Sequence, residues 1–332
     1  MVVKLGDNGR AVKEIQQLLK NKGFYDGKID GDFGPKTEAS VKAFQLSKKI
    51  KDDGKVGPTT LKYLLEGIDT DRQDTVAPKD DVVKSPPAND TDGKLAYLGS
   101  YNTTLGLKID KAYLDTDEYV KDYGKILPKN LFIHHTAGWD NPYNCINSWN
   151  GDDRGRVGTQ YVIGGPSIKG TVVYDGVVVE CIPNNYIGWH LGEVGNFNAS
   201  KLSVGIEVNN FGYVTKKDDK FFTYVNTEVP LDQVIDLGYK FRGYQYWHKY
   251  SDAQIESLRL LILHIKEIYP TIDITKGLLE ELESKTPAEA FEFNTDAYNA
   301  KKYGLWTHTN VRKDKFDMSP QPNLIKMIKS LK

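Results

Sequence analysis

Between Tyr63 and Tyr97 the chain has no aromatic residue, and from 67 to 94 Asp, Lys, Thr, Pro, Asn and Ser dominate, with Pro86-Pro87 inside the stretch. Such a segment cannot bury enough apolar surface to repay the entropy of ordering it. Whatever folds must therefore fold on either side. The break predicts a small unit over 1–66, a linker over 67–94 that is semi-extended near its prolines, and a larger unit over 95–332. The 332 residues are enough for about two domains.

The small unit contains an internal repeat. Asp30-Gly31-Asp32-Phe33-Gly34-Pro35-Lys36-Thr37 is echoed by Asp53-Gly54-Lys55-Val56-Gly57-Pro58-Thr59-Thr60. Each copy offers Asp-Gly for a tight turn, then Gly-Pro-x-Thr to open a helix. Val12, Ile15, Leu18 and Leu19 sit at helical spacing before Gly23, and further apolar runs hold Val41 and Phe44, then Leu61, Leu64 and Leu65. Three short helices around one small core are expected. With Leu5-Gly6-Asp7-Asn8-Gly9 and Ala43-Phe44-Gln45, these motifs resemble the peptidoglycan-binding domain found on wall hydrolases, over nearly all of residues 2–66. Peptidoglycan is the partner this resemblance implies.

In the larger unit, Leu131-Phe132-Ile133, Tyr161-Val162-Ile163 and Leu202 to Val208 read as strands. Thr171 to Tyr174, the turn pair Asp175-Gly176, and Val177 to Ile182 read as a hairpin. Ala253 to Tyr269 is an amphipathic helix stopped by Pro270, and Asn323 to Leu331 a closing helix. The expected class is α/β, a mixed central sheet flanked by helices.

Two cysteines, Cys145 and Cys181, exclude a disulfide scaffold and a multi-cysteine metal site, and are read as free thiols. A net charge of −1 gives no overall pull toward nucleic acid or anionic lipid. No run approaches the roughly 18 apolar residues of a membrane span. The opening Met1-Val2-Val3-Lys4-Leu5-Gly6 lacks the apolar core of a secretory signal. A monomer made in the cytosol, without membrane insertion, is expected.

The histidines carry the chemistry. His134 and His135 end an apolar strand, where neighbours face opposite ways, so only one of them can reach a given metal from strand geometry. His308 opens a loop that also holds Arg312, Lys313, Lys315 and Asp317. Two histidines and an aspartate satisfy the three protein ligands of a catalytic zinc. On spacing alone, an ordinary charged surface loop explains His308 and Asp317 equally well. Strand alternation puts Ser203, Gly205 and Glu207 on one face, leaving room beside the carboxylate. A strand-end glutamate in solvent is the plainer reading of Glu207 by itself. His248, among Tyr244, Tyr246, Trp247 and Tyr250, reads as a helix-capping or packing residue, with glycan contact by that aromatic cluster the alternative, and His264 as structural. Arg312 and Lys313 read as solvating their loop, with contact to substrate carboxylates the alternative.

Four segments in order resemble the type-2 amidase family, which also contains peptidoglycan recognition proteins. They are Leu131-Phe132-Ile133-His134-His135-Thr136-Ala137-Gly138, Gly188-Trp189-His190-Leu191-Gly192, Ser203-Val204-Gly205-Ile206-Glu207, and His308 with Lys315-Phe316-Asp317. The resemblance covers most of residues 128–322. It implies Zn2+ held by His134, His308 and Asp317, with Glu207 as base and Lys315 as its catalytic companion. Trp189 and His190 would line the cleft. Where some members carry a tyrosine this chain has Thr159, with Tyr161 the alternative, and both are taken as substrate-binding. The implied activity is cleavage of the amide between N-acetylmuramic acid and L-alanine by zinc-activated water. A phage endolysin is the implied setting, a bacterial autolysin or a non-catalytic recognition protein the alternatives.

Overall fold

The computed structural model describes residues 3–7, 10–56, 60, 63–64, 95, 97–116, 118–121, 127–138, 140–150, 156–184, 186–192 and 197–332. The chain divides into two units, Met1–Val83 and Lys84–Lys332. The expected linker at 67–94 lies outside the described residues.

In the first unit, helices span Arg10–Asn21 and Pro35–Ser47. Val12, Ile15 and Leu19 share one helical face and are buried with Phe33, Val41, Phe44 and Val56. Pro35 sits at the start of the second helix, where its missing N–H costs nothing. Of the expected third helix, Thr60, Tyr63 and Leu64 are helical, while Leu61 and Leu65 lie outside the described residues.

The repeat has a polar counterpart inside the core. Gln16 and Gln45 are 0% and 1% exposed. Gln16 Oε1 accepts from the Gly31 N–H at 3.0 Å, and its amide nitrogen lies 2.9 Å from Asp30 Oδ1 and 3.0 Å from Thr37 Oγ1. Gln45 holds the second copy the same way, accepting from the Gly54 N–H at 2.9 Å and reaching Asp53 Oδ1 at 3.1 Å and Thr60 Oγ1 at 3.0 Å. Gly31 and Gly54 adopt φ of +83° and +68°, which explains the glycine in each turn. One buried amide therefore ties each Asp-Gly turn to the core. Gln16→Leu keeps the volume and the helix propensity but strands these buried donors and acceptors. It is expected to destabilise the first unit by about 2–3 kcal/mol, seen as a lower urea midpoint for that unit. A loss below about 0.5 kcal/mol, the range of an ordinary surface change, would mean that the clasp contributes only packing.

The second unit is built on a seven-stranded sheet. Its spatial order is Ser100–Asn102, Lys108–Lys111, Val178–Glu180, Tyr161–Ile163, Ser203–Val208, Asn130–His135 and Gly304–Thr307. The last four run parallel to one another, while Tyr161–Ile163 is antiparallel to Val178–Glu180. Asn130–His135 and Ser203–Val208 are buried along their whole length, as central parallel strands covered on both faces must be. On one face Ile133, Tyr161, Ile163 and Ile206 join the core of helix Asp252–Ile268, through Leu258, Leu261, Ile262 and Ile265. On the other, Val162 and Val179 pack with Cys145 and Ile146 of helix Pro142–Asn150. Both cysteines are buried, and among the described residues neither takes part in a disulfide. Closing helix Pro322–Lys329 buries Leu324, Met327 and Ile328. Among the described residues, no helix is long and apolar enough to cross a membrane.

The expected hairpin over 171–182 does not form. Val178–Glu180 already has a partner on each edge, antiparallel Tyr161–Ile163 and parallel Lys108–Lys111, so no edge is left for Thr171 to Tyr174. Val172 and Val173 are exposed instead. Between Ser203–Val208 and helix Asp252–Ile268 the chain makes an excursion. It contains the three-stranded sheet Val214–Lys217, Lys220–Thr223 and Glu228–Val229, then the hairpin of Val234–Phe241 and Tyr244–His248.

Candidate active site

Parallel strands end on the same edge of a sheet, and open α/β sheets bind ligands along that edge. His134 and Glu207 are in register on neighbouring strands and so share a face. Thr307 is in register with Ile133, which brings His308, the next residue, beside His134. Asp317 returns to the same place because the Thr309 N–H donates to its carbonyl at 2.9 Å. One ligand atom from each of His134, His308 and Asp317 lies within 4.8 Å of the others, and all three residues are buried. Three adjacent strand ends thus bring Glu207, His134 and His308 together, and the loop after His308 returns Asp317 to them.

The hydrogen bonds around His134 fix where its proton sits. The Ser203 hydroxyl donates to the Ser200 carbonyl at 3.2 Å, so its oxygen accepts from His190 Nε2 at 2.9 Å. His190 Nδ1 is then the acceptor in the 3.0 Å contact with His134 Nε2. That leaves His134 Nδ1 without a proton, 3.5 Å from Asp317 Oδ2. Two electron-rich atoms facing each other in a buried site call for a cation between them. His308 Nδ1 lies 2.9 Å from the same oxygen, and His308 Nε2 is buried with no partner among the described residues. Whichever His308 nitrogen holds the proton, one atom of that ring lacks its complement among the described residues. Two imidazoles and a carboxylate with these unmet lone pairs fit a divalent metal of the zinc type.

Electrostatics agree. Burial pushes the His134 imidazole down to about 4, helped by nearby His308, and burial likewise holds His190 well below the usual range. His134 and His190 are therefore neutral near pH 7, as a metal ligand and its support must be. Burial alone would raise the Asp317 carboxyl, but the imidazoles, His308 foremost, hold it well below its usual range. Burial drives the Glu207 carboxyl well upward, the Asp317 charge adds to this, and Lys315 opposes it. An upward-shifted carboxyl beside an anionic ligand cluster has the character of a general base.

The remaining residues divide clearly. His190 lies over Gly205, where any Cβ would come within 2.8 Å of its ring and 2.9 Å of the Thr159 methyl. Thr159 is buried beneath this point and its hydroxyl donates to the Tyr161 carbonyl at 2.8 Å. Trp189, half-buried, precedes His190 in the same segment. Tyr161 is not brought to the cluster. It is in register with Ile206, on the opposite face from Glu207, and its hydroxyl lies 3.1 Å from Asn184 Oδ1. His135 also faces away, toward the Tyr250 hydroxyl at 2.8 Å. Of the two roles expected for His248, packing holds and helix capping does not: it is buried against the Phe211 ring, and its ring nitrogens meet the Phe211 N–H at 3.3 Å and Gln233 Oε1 at 3.1 Å. Arg312 does not merely solvate its loop, since it donates to the Leu191 carbonyl at 2.8 Å and forks onto Asp314. Sequence reading puts Ser203 on the Glu207 face but misses its hydrogen bond with His190, for which alternation is the available signal. It also misses Arg242, for which the sequence carries none.

The family model for a putative peptidoglycan binding domain matches residues 8–64, and that for N-acetylmuramoyl-L-alanine amidase matches residues 124–279. The second match includes His134, His190 and Glu207 and ends before His308. A spore cortex-lytic enzyme of Oceanobacillus iheyensis is 38% identical over 72 residues, 22% of this chain, and the chain spans only 26% of that relative's length. The solved N-terminal domain of SleB is 38% identical, with 20% of this chain and 90% of that one covered and a TM-score of 0.20. A solved AmpD derivative is 15% identical, with 66% of this chain and 92% of that one covered and a TM-score of 0.35. The chain therefore carries two matched domains in order, a putative peptidoglycan-binding domain and an N-acetylmuramoyl-L-alanine amidase domain.

Proposed function

We propose that the protein hydrolyses peptidoglycan at the amide joining the lactyl group of N-acetylmuramic acid to L-alanine of the stem peptide. The observation that carries this reading is the buried cluster of His134, His308 and Asp317 beside Glu207, in a chain with a matched amidase domain. Zn2+ held by those three residues would supply a Lewis acid and a water ionising at a pKa of about 7. Glu207 accepts the proton of the attacking water and returns it to the departing amine of L-alanine. Lys315 is close enough to Glu207 for its charge to be felt there, and it stabilises the oxyanion that develops on the lactyl carbonyl. His190 holds His134 in the tautomer that leaves Nδ1 free. Trp189 and Thr159 shape the floor of the cleft near His190.

In this reading, residues 1–66 hold the enzyme on the wall, 67–94 form the spacer, and 95–332 cut. Tethering raises the effective concentration of the cutting unit on an insoluble polymer. The setting we infer is wall lysis by a phage endolysin, in which such a tether keeps the freed enzyme on its target.

The bond assignment has a direct chemical test. Digestion of purified peptidoglycan is expected to release stem peptides that begin with a free L-alanine amine, with no new reducing sugar ends. New reducing ends without free alanine amines would show that a glycosidic bond is cut instead.

A further inference from the structure

We propose that Arg242 is a positioning residue that sets the loop carrying Lys315 and Asp317, an inference that rests on the function proposed above. Arg242 occupies the two-residue turn between strands Val234–Phe241 and Tyr244–His248, in which Phe241 pairs with Tyr244. Its φ is +50° and that of Gly243 is +91°. Two-residue hairpin turns with both φ values positive favour Asn and Gly, because a side chain such as arginine is uncomfortable there. An arginine at this place is explained by what its side chain does.

The guanidinium is almost fully buried, with 7% of the side chain exposed. One terminal nitrogen, Nη1, donates to the carbonyls of Arg312 at 3.1 Å, Lys313 at 2.7 Å and Lys315 at 2.7 Å. The other, Nη2, donates to the Thr309 carbonyl at 3.1 Å and to Glu292 Oε2 at 2.9 Å. All four carbonyls belong to the segment between His308 and Asp317. They converge on one point, which without a cation would place like partial charges together in a buried space. A planar fork can serve several acceptors at once, whereas an ammonium at the end of a flexible stem cannot copy that geometry. Arg312 ties the same loop on its other side to the Leu191 carbonyl, next to His190. The loop is therefore clamped between the excursion at 209–250 and the segment 188–192.

The excursion thus acquires a purpose in the reaction. Arg242 touches neither substrate nor metal, and it acts through the backbone that presents Lys315 and Asp317. A displacement of about 1 Å in such groups costs on the order of 100-fold in rate, and loss of an outer support of a metal ligand typically costs 10–100-fold in affinity.

The test uses the full-length chain with Arg242→Ala and Arg242→Lys. Zinc affinity is read by competition with a chromophoric chelator, and turnover by release of stem peptides from purified wall. Arg242→Ala is expected to lower kcat about 30–100-fold, to weaken zinc about 10-fold, and to leave KM for the wall nearly unchanged. Millimolar guanidinium, filling the vacated space, is expected to restore part of both losses. Arg242→Lys keeps charge and stem, so it serves if the alanine variant does not fold, and it is expected to show both defects. Wild-type zinc affinity and kcat in either folded variant would overturn the proposal, as would absence of guanidinium rescue in folded Arg242→Ala. Should wild type itself release no stem peptides, the amidase reading fails, while the zinc affinities still decide the role of Arg242.

Discussion

Glu207→Gln is expected to cut the rate of wall hydrolysis by about 10³-fold, within the range for loss of a general base, and to leave zinc binding unchanged. Glutamine keeps the shape of the side chain but cannot accept the proton. Glu207 faces the cluster from the strand next to His134, in register with it, and does not itself belong to the ligand group. Burial drives its carboxyl upward, so the substitution also removes a group that is costly to ionise there and should not destabilise the fold. A loss of that size corresponds to about 4 kcal/mol of transition-state stabilisation. The check is single-turnover cleavage of a soluble muropeptide alongside zinc content. A variant that still cuts at more than a tenth of the wild-type rate, an effect below the usual span for acid–base catalysis, would remove Glu207 from the proton path.

His308→Ala is expected to give the opposite signature, in which zinc is lost and turnover with it. His308 Nδ1 lies 2.9 Å from Asp317 Oδ2, and the nearby imidazole is the largest influence holding that carboxyl down. Without the imidazole only His134 and Asp317 remain of the three. Two ligands cannot hold the metal as three do, and the affinity should fall by more than the roughly 100-fold typical of losing a mere support. Turnover at fixed low zinc should vanish and return only in part at high zinc. Equilibrium dialysis settles the affinity, and unchanged zinc binding by folded His308→Ala would show that the metal sits elsewhere. Together the two variants separate chemistry from metal binding.

Local pattern carried much of this far. Alternation along 202–208 placed Ser203, Gly205 and Glu207 on one face, and the strand holds them there with Gly205 making room for the His190 ring. Likewise, His134 and His135 diverge as neighbouring strand residues must. Pattern failed at 171–182, because Asp175-Gly176 is a good turn wherever it occurs, while pairing depends on which edges of Val178–Glu180 are already taken. Nearness to Thr159 in sequence puts Tyr161 among the cleft candidates, yet its register with Ile206, one residue before Glu207, sends it to the other face. Arg242 was invisible for a different reason. Its partners are backbone carbonyls, which every residue possesses, so no residue type marks the contact. The convergence of His134, His308 and Asp317 also lay beyond spacing alone. It became legible only through the order of four family-like segments.

The central claim is that those three side chains hold one divalent ion on which the cleavage depends. Its most direct measurement is a titration of the full-length chain, stripped with chelator, in which bound zinc and stem-peptide release are followed together. The account predicts no release from the stripped protein, recovery in proportion to occupancy, and an end point at one zinc per chain. Undiminished release from protein free of divalent ions would contradict it.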